Sequence, residues 1–172
     1  MSVESEKAEP LLASSSHAMQ LYILRHADAD TEAATDAART LSEKGEEQAR
    51  EVAQFCSRHG IQPDVIFASP LIRAQQTAKP VAKELRLEVT TARWLTSGAR
   101  PDGILTELAA LKDVSAVMLV GHEPDLGHLI AHLLGGERGS VHVRKASLTL
   151  VEVLVPRKGG GHLEFSIPVR MT

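Results

Sequence analysis

Short apolar runs alternate along this chain with longer segments of helical period. Residues 20–24 are an apolar run ended at once by Arg25-His26, the pattern of a buried strand closing in polar residues. Residues 27–40 are rich in Asp, Ala and Thr without a period and predict mostly loop. Ser42 then suits a helix N-cap. Ala49, Val52, Ala53 and Cys56 recur at helical spacing, and Gly60 ends that helix. A second strand is predicted over 65–68, closed by Ser69-Pro70, and a helix over 71–85. A third strand follows over 87–91, a loop over 94–101 and a helix over 102–111. The strongly apolar run 116–120 predicts a fourth strand, closed by Gly121-His122. Pro124 suits the first turn of a helix running to Leu134 and stopped by Gly135-Gly136. Residues 147–155 and 163–169 predict two last strands around a turn at 157–161.

Strands alternating with helices imply an α/β fold: a mostly parallel sheet with helices on both faces, a three-layer α/β/α sandwich, with an antiparallel hairpin at the C-terminal end. Residues 1–18 are polar, Ser-rich and aperiodic and predict a disordered extension or a remnant of cloning. Residues 19–172 are expected to form one domain. In such sheets ligands sit beyond the carboxyl ends of the strands. Three strand ends here carry Arg25-His26, Ser69 to Arg73, and Gly121-His122.

Composition narrows the choice. A net charge of −3 argues against a general nucleic-acid binder, and an aromatic share of 3% leaves few platforms for stacked bases. The single cysteine, Cys56, excludes an intrachain disulfide and suits buried filler. No run approaches the 18 apolar residues of a membrane span, and no basic-then-apolar leader opens the chain, so a cytoplasmic monomer is expected. Two arginines and two histidines at one sheet edge suit a dianion. The guanidinium fork matches phosphate oxygens, and a neutral imidazole can attack phosphorus. Neither metal nor cofactor is expected, since the arginines supply the positive charge.

Four segments carry a family resemblance. They are Leu24-Arg25-His26-Ala27, then Arg39-Thr40-Leu41-Ser42 with Gly45, then Ser69-Pro70-Leu71-Ile72-Arg73-Ala74-Gln75-Gln76-Thr77, and Gly121-His122-Glu123-Pro124. In this order and spacing they resemble the histidine phosphatase superfamily, with its phosphoglycerate mutase-like fold, and within it the short SixA-type branch of phosphohistidine phosphatases. The resemblance implies that His26 is a covalent nucleophile and that Arg25, Arg73 and His122 form the phosphate pocket. It implies a phosphohistidine-bearing protein as substrate, or alternatively a small phosphorylated molecule. A non-catalytic phosphate-binding module and a metal-dependent hydrolase are the rival readings. Arg39 is either a phosphate contact or a loop-pinning ion pair. Larger relatives carry a Glu or Asp acid after the third strand, whereas 94–100 holds no carboxylate here. Asp28 is the nearest candidate for an acid or substrate contact. The missing insertion implies an open site, and the missing acid favours a labile P–N bond.

The remaining polar residues have plainer readings. Ser69, followed by Pro, suits a helix N-cap rather than a nucleophile. His128 and His132 stand at a zinc-ligand spacing on a helix, but a helix-face reading is favoured. His17, His59, His142 and His162 are expected on the surface or in loops, and Gly45 and Gly121 to serve backbone geometry.

Overall fold

The computed structural model describes residues 18–168, so residues 1–17, with His17 and nearly all of the expected extension, lie outside the described residues, as does Val169. Six strands form one sheet: β1 (Met19–Arg25), β2 (Val65–Ala68), β3 (Val89–Thr91), β4 (Ala116–Gly121), β5 (Leu148–Val153) and β6 (Gly161–Ile167). Their spatial order is β3-β2-β4-β1-β5-β6. The first four run parallel, and β5 and β6 are antiparallel additions at one edge. Four helices complete the domain: α1 (Glu43–Arg58), α2 (Ile72–Leu85), α3 (Pro101–Ala109) and α4 (Asp125–Leu133). Among the described residues no helix is long and apolar enough to cross a membrane.

Strand alternation divides the core. Tyr22 and Leu24 of β1 and Met118 and Val120 of β4 pack with buried residues of α1 and α2. Leu21, Ile23, Val117 and Leu119 point the other way, against α3 and α4. Every residue of β4 is buried, as expected of a central strand covered on both faces. Cys56 is packing material: it is buried beneath α1, and desolvation pushes its thiol up to about 12.

Local signals act much as the sequence predicts. Ser42 caps α1 by accepting from Gly45 N at 3.1 Å, and Gly60 follows the helix at φ +64°. Ser69 departs from expectation. The residue preceding α2 is Leu71, with no side-chain cap. Ser69 instead extends the β2 ladder, its N–H donating to Val120 O at 2.9 Å, and its hydroxyl bonds Leu71 N and His122 rather than capping the helix.

Gly45 lies in the first turn of α1, where the loop after β1 crosses the helix. A Cβ there would sit 2.8 Å from the carbonyl carbon of Asp28 and closer still to its oxygen. Alanine ordinarily favours a helix over glycine by about 1 kcal/mol. The clash with backbone reverses that sign here, so Gly45→Ala should destabilise the fold by roughly 1–3 kcal/mol in urea unfolding. An equal or more stable variant would contradict this packing.

Candidate active site

Parallel register assembles the site. Leu24 pairs with Val120, and Val120 with Ala68, so three strands end in one row. Arg25 then lies opposite Gly121, which brings His26 and His122 side by side with ring centroids 5.2 Å apart. The ladder continues past the strand end, with His26 N donating to Gly121 O at 3.0 Å. Arg73 arrives from the first turn of α2. Thr77, one turn later, ties that helix to the loop: its hydroxyl donates to Arg73 O at 2.7 Å and accepts from Ala27 N at 3.0 Å.

His26 is 6% exposed, and its Nδ1 lies 2.7 Å from the carbonyl oxygen of Ala27. A carbonyl can only accept, so Nδ1 carries the proton and Nε2 keeps its lone pair. Burial pushes this imidazole down to about 3; His122, Arg73 and Arg25 push the same way, against the Ala27 hydrogen bond. His122 is 3% exposed and is lowered to about 4, again by burial first and then by Arg73 and Arg25, with Asp36 opposing. The neutral form of His26 thus prevails at physiological pH. His122 Nε2 lies 2.7 Å from Ser69 Oγ. Ser69 is fully buried and Oγ already accepts from Leu71 N at 3.3 Å; among the described residues its own proton has no acceptor but His122 Nε2, which leaves the His122 proton on Nδ1.

Three buried side-chain nitrogens among the described residues have no hydrogen-bond partner: Arg25 Nε, Arg73 Nε and His122 Nδ1. Unpaired buried donors are rare in folded proteins and call for a reason. All three belong to residues surrounding His26. Each is closed to solvent, so the set holds donor capacity in reserve beside His26.

Other contacts hold the cage. Arg25 Nη1 donates to Val143 O at 2.7 Å. The 141–147 segment is fixed in turn by the Glu123 carboxylate, which accepts from Gly127 N at 3.1 Å and from Val143 N. Arg73 is gripped by Asp36: Nη1 donates to the Asp36 carbonyl at 2.7 Å and Nη2 to its carboxylate at 2.9 Å. Asp36 stands on a short 3-10 turn between β1 and α1, its side chain 62% exposed. It therefore rests over Arg73, and the site is less open than the missing insertion suggests.

Two sequence expectations change. Arg39 is spent on its own loop, donating to Asp30 O at 2.6 Å, Ala29 O at 3.3 Å and Asp36 Oδ1 at 3.2 Å. It meets the cage only through Asp36, which is the loop-pinning alternative. Asp28 is unsuited to be an acid. Lys145 Nζ lies 2.6 Å from Oδ1, and Ser42 Oγ donates to Oδ2 at 2.7 Å. Lys145 chiefly, with Ser42, holds its carboxyl below the usual carboxylate range against the opposing effect of burial, so it stays ionised. Ser69, Asp36, Glu123 and Thr77 are contacts that sequence reasoning missed. Ser69 and Thr77 stand within a quoted motif, as does Glu123, and that was the available signal; Asp36 stands in none. His128 and His132 lie on α4 beside Arg138 and Asp102 respectively. Among the described residues no group of three or more His, Cys, Asp or Glu could hold a metal ion.

An α/β sheet whose parallel strand ends gather two arginines and two histidines defines a phosphoryl-handling class. Comparison with known proteins gives the family. The model of the histidine phosphatase superfamily, branch 1, matches residues 21–97. The chain is 31% identical over 140 residues to the phosphohistidine phosphatase SixA of Escherichia coli K12, an alignment covering 78% of this chain and 87% of that one. It is 33% identical over 128 residues to the SixA homologue of Haemophilus influenzae, covering 68% and 78%. A solved structure of the protein histidine phosphatase SixA with tungstate superposes with a TM-score of 0.79 at 26% identity, over 89% of this chain and 99% of that one. The chain belongs to the histidine phosphatase superfamily, in its SixA branch.

Three measurements test the geometry. Imidazole 15N–1H spectra should show His26 and His122 uncharged from pH 8 to 5, with His26 protonated on Nδ1; a His26 ring titrating above pH 6 would contradict the burial argument. Both values are depressed, so the unfolded chain takes up protons first as pH falls below 6.5, and folding stability should decline through the window from 6.5 to about 3. Asp36→Ala should lower kcat about tenfold by loosening Arg73. It should lower KM as well, because removing a carboxylate strengthens ground-state anion binding. Unchanged kcat would show that Asp36 does not position the arginine.

Proposed function

We propose that this chain is a phosphohistidine phosphatase that forms a covalent intermediate on His26. The observation that carries the reading is the set of three unpaired donors, Arg25 Nε, Arg73 Nε and His122 Nδ1, around an imidazole whose free lone pair is on Nε2. In the first step Nε2 of His26 attacks phosphorus in line. The three donors take the equatorial oxygens, where charge gathers in a loose transition state. The P–N bond of the substrate breaks and its electron pair returns to the leaving imidazole nitrogen. That ring keeps the proton on its other nitrogen and leaves neutral. In the second step water attacks phosphorus, the pair in the new N–P bond returns to His26 Nε2, and both water protons leave with the product as dihydrogen phosphate.

The substrate class follows from the missing acid. Asp28 is held ionised by Lys145 and Ser42, and Asp36 by Arg73 and Arg39. Neither can protonate an alkoxide, whereas a protonated phosphoimidazole needs no donor. The relatives named for phosphohistidine agree with this choice. A protein-borne phosphohistidine is the preferred substrate, and the enzyme acts as a monomer without a cofactor.

Rapid-quench mass spectrometry should find phosphate on His26 during turnover. His26→Ala should lose at least about a thousandfold of activity, the scale of removing a covalent nucleophile. A phosphohistidine protein should be hydrolysed with a higher kcat/KM than any of a panel of phosphate monoesters. Full activity in His26→Ala would overturn the nucleophile, and faster ester hydrolysis would overturn the substrate class.

A further inference from the structure

Beside the cage lies a pocket of about 360 Å³ that the phosphoryl chemistry does not use. Its charged lining is Arg25, Lys44, Arg144 and Lys145, with His142 and the single carboxylate of Asp28. Asp28 is already paired with Lys145 and Ser42. Lys44, Arg144 and Arg25 make no ion pair with any carboxylate among the described residues. Three cations, Arg25, Lys44 and Arg144, therefore stand unpaired beside the Asp28–Lys145 pair, in a protein whose net charge is −3. Concentrating positive charge in one concavity against the overall sign focuses the local field and favours an anionic ligand.

The pocket is joined to the cage by Arg25. Its Nη1 is fixed on Val143 O, its Nε is unpaired, and the residue precedes His26 directly. The 141–147 segment that carries Arg144 and Lys145 is also bonded to the site backbone, with Ala146 N donating to Arg25 O at 3.2 Å. The pocket and the cage therefore share the Arg25 side chain.

We infer that this pocket is a second anion subsite, which receives carboxylates flanking the phosphohistidine on an acidic segment of the substrate protein. The inference rests on the proposed function. Its chemistry is that of several exposed cations meeting carboxylates at an interface rim, which acts on encounter and specificity more than on the chemical step. A second phosphate on a small molecule could satisfy the same cations, so the test separates the two sources.

The variants are Lys44→Glu and Arg144→Glu, separately and together. Both side chains are exposed, and neither belongs to the cage. Glutamate at position 44, in the first turn of α1, is favoured by the helix dipole, so the fold is retained. Substrates are free phosphohistidine and two phosphohistidine peptides, one flanked by Asp and Glu and one by Ser and Ala. For the double variant, kcat/KM on the acidic peptide should fall about tenfold or more and lose most of its salt dependence. Free phosphohistidine and the neutral peptide should change less than about twofold. Equal losses on all three substrates, or none on any, would overturn the subsite. A selective loss of inhibition by inorganic pyrophosphate with no effect on the acidic peptide would overturn its assignment to protein carboxylates. Calorimetric binding of the unphosphorylated acidic peptide to wild type, abolished in the double variant, reads the subsite without turnover. Binding without hydrolysis of any phosphohistidine would refute the proposed function while upholding the subsite; hydrolysis without binding would do the reverse.

Discussion

The site depends on the parallel register of β1, β4 and β2. Leu24, Val120 and Ala68 share one row, and Arg25, His26, Ser69 and His122 stand one or two residues beyond it. Sliding β1 by one residue against β4 would turn Leu21 and Ile23 to the face now filled by Tyr22 and Leu24. Both faces of these strands are buried, so such a slip would misplace apolar side chains on two sides at once. The hydrophobic core thereby sets the relation between His26 and His122 without either residue contributing to it. Arg73 enters the same row through a helix, and Thr77 couples that helix to Ala27.

The cage is an unfavourable object to build. It gathers two guanidinium groups around two buried imidazoles and leaves three donors without partners. Positive charge and desolvation act together on His26 and His122, and both rings respond by staying neutral. The arginines cannot respond that way, so each is given oxygen: Val143 supplies a carbonyl to Arg25, and Asp36 a carbonyl and a carboxylate to Arg73. These partners offset part of the burial cost and also aim the groups. Stability is sacrificed where function needs unsatisfied polarity, as expected of sites that act on charged ligands.

The sequence carried the architecture because its signals are local. Apolar runs of four to seven residues, Ser42 before α1 and Gly60 after it are each read within one turn or strand. The strand-end residues were legible for a related reason, since fold class alone says where strand ends converge. What escaped depended on long-range contacts. Asp28 looks available in sequence, but Lys145, 117 positions away, claims it. Ser69 followed by Pro reads as a cap, yet the β2 ladder extends through it and turns its hydroxyl to His122. Asp36 sits in an aperiodic loop with no signal, and only the folded loop carries it onto Arg73. Glu123 stands in a recognisable motif, but its purpose lies in the 141–147 segment it anchors.

The carbonyl of Ala27 does more than hold a ring in place. By reserving Nδ1 it selects one of two constitutional isomers for any phosphorylated His26, the one with phosphorus on Nε2. A phosphoryl group there leaves the ring formally cationic, with its remaining proton already engaged. In the proposed cycle, donor and acceptor imidazoles are then chemical equals in the first transfer. Thermodynamic direction must come from the second step, the irreversible arrival of water, and the regiochemistry of the whole cycle is written in a single backbone oxygen.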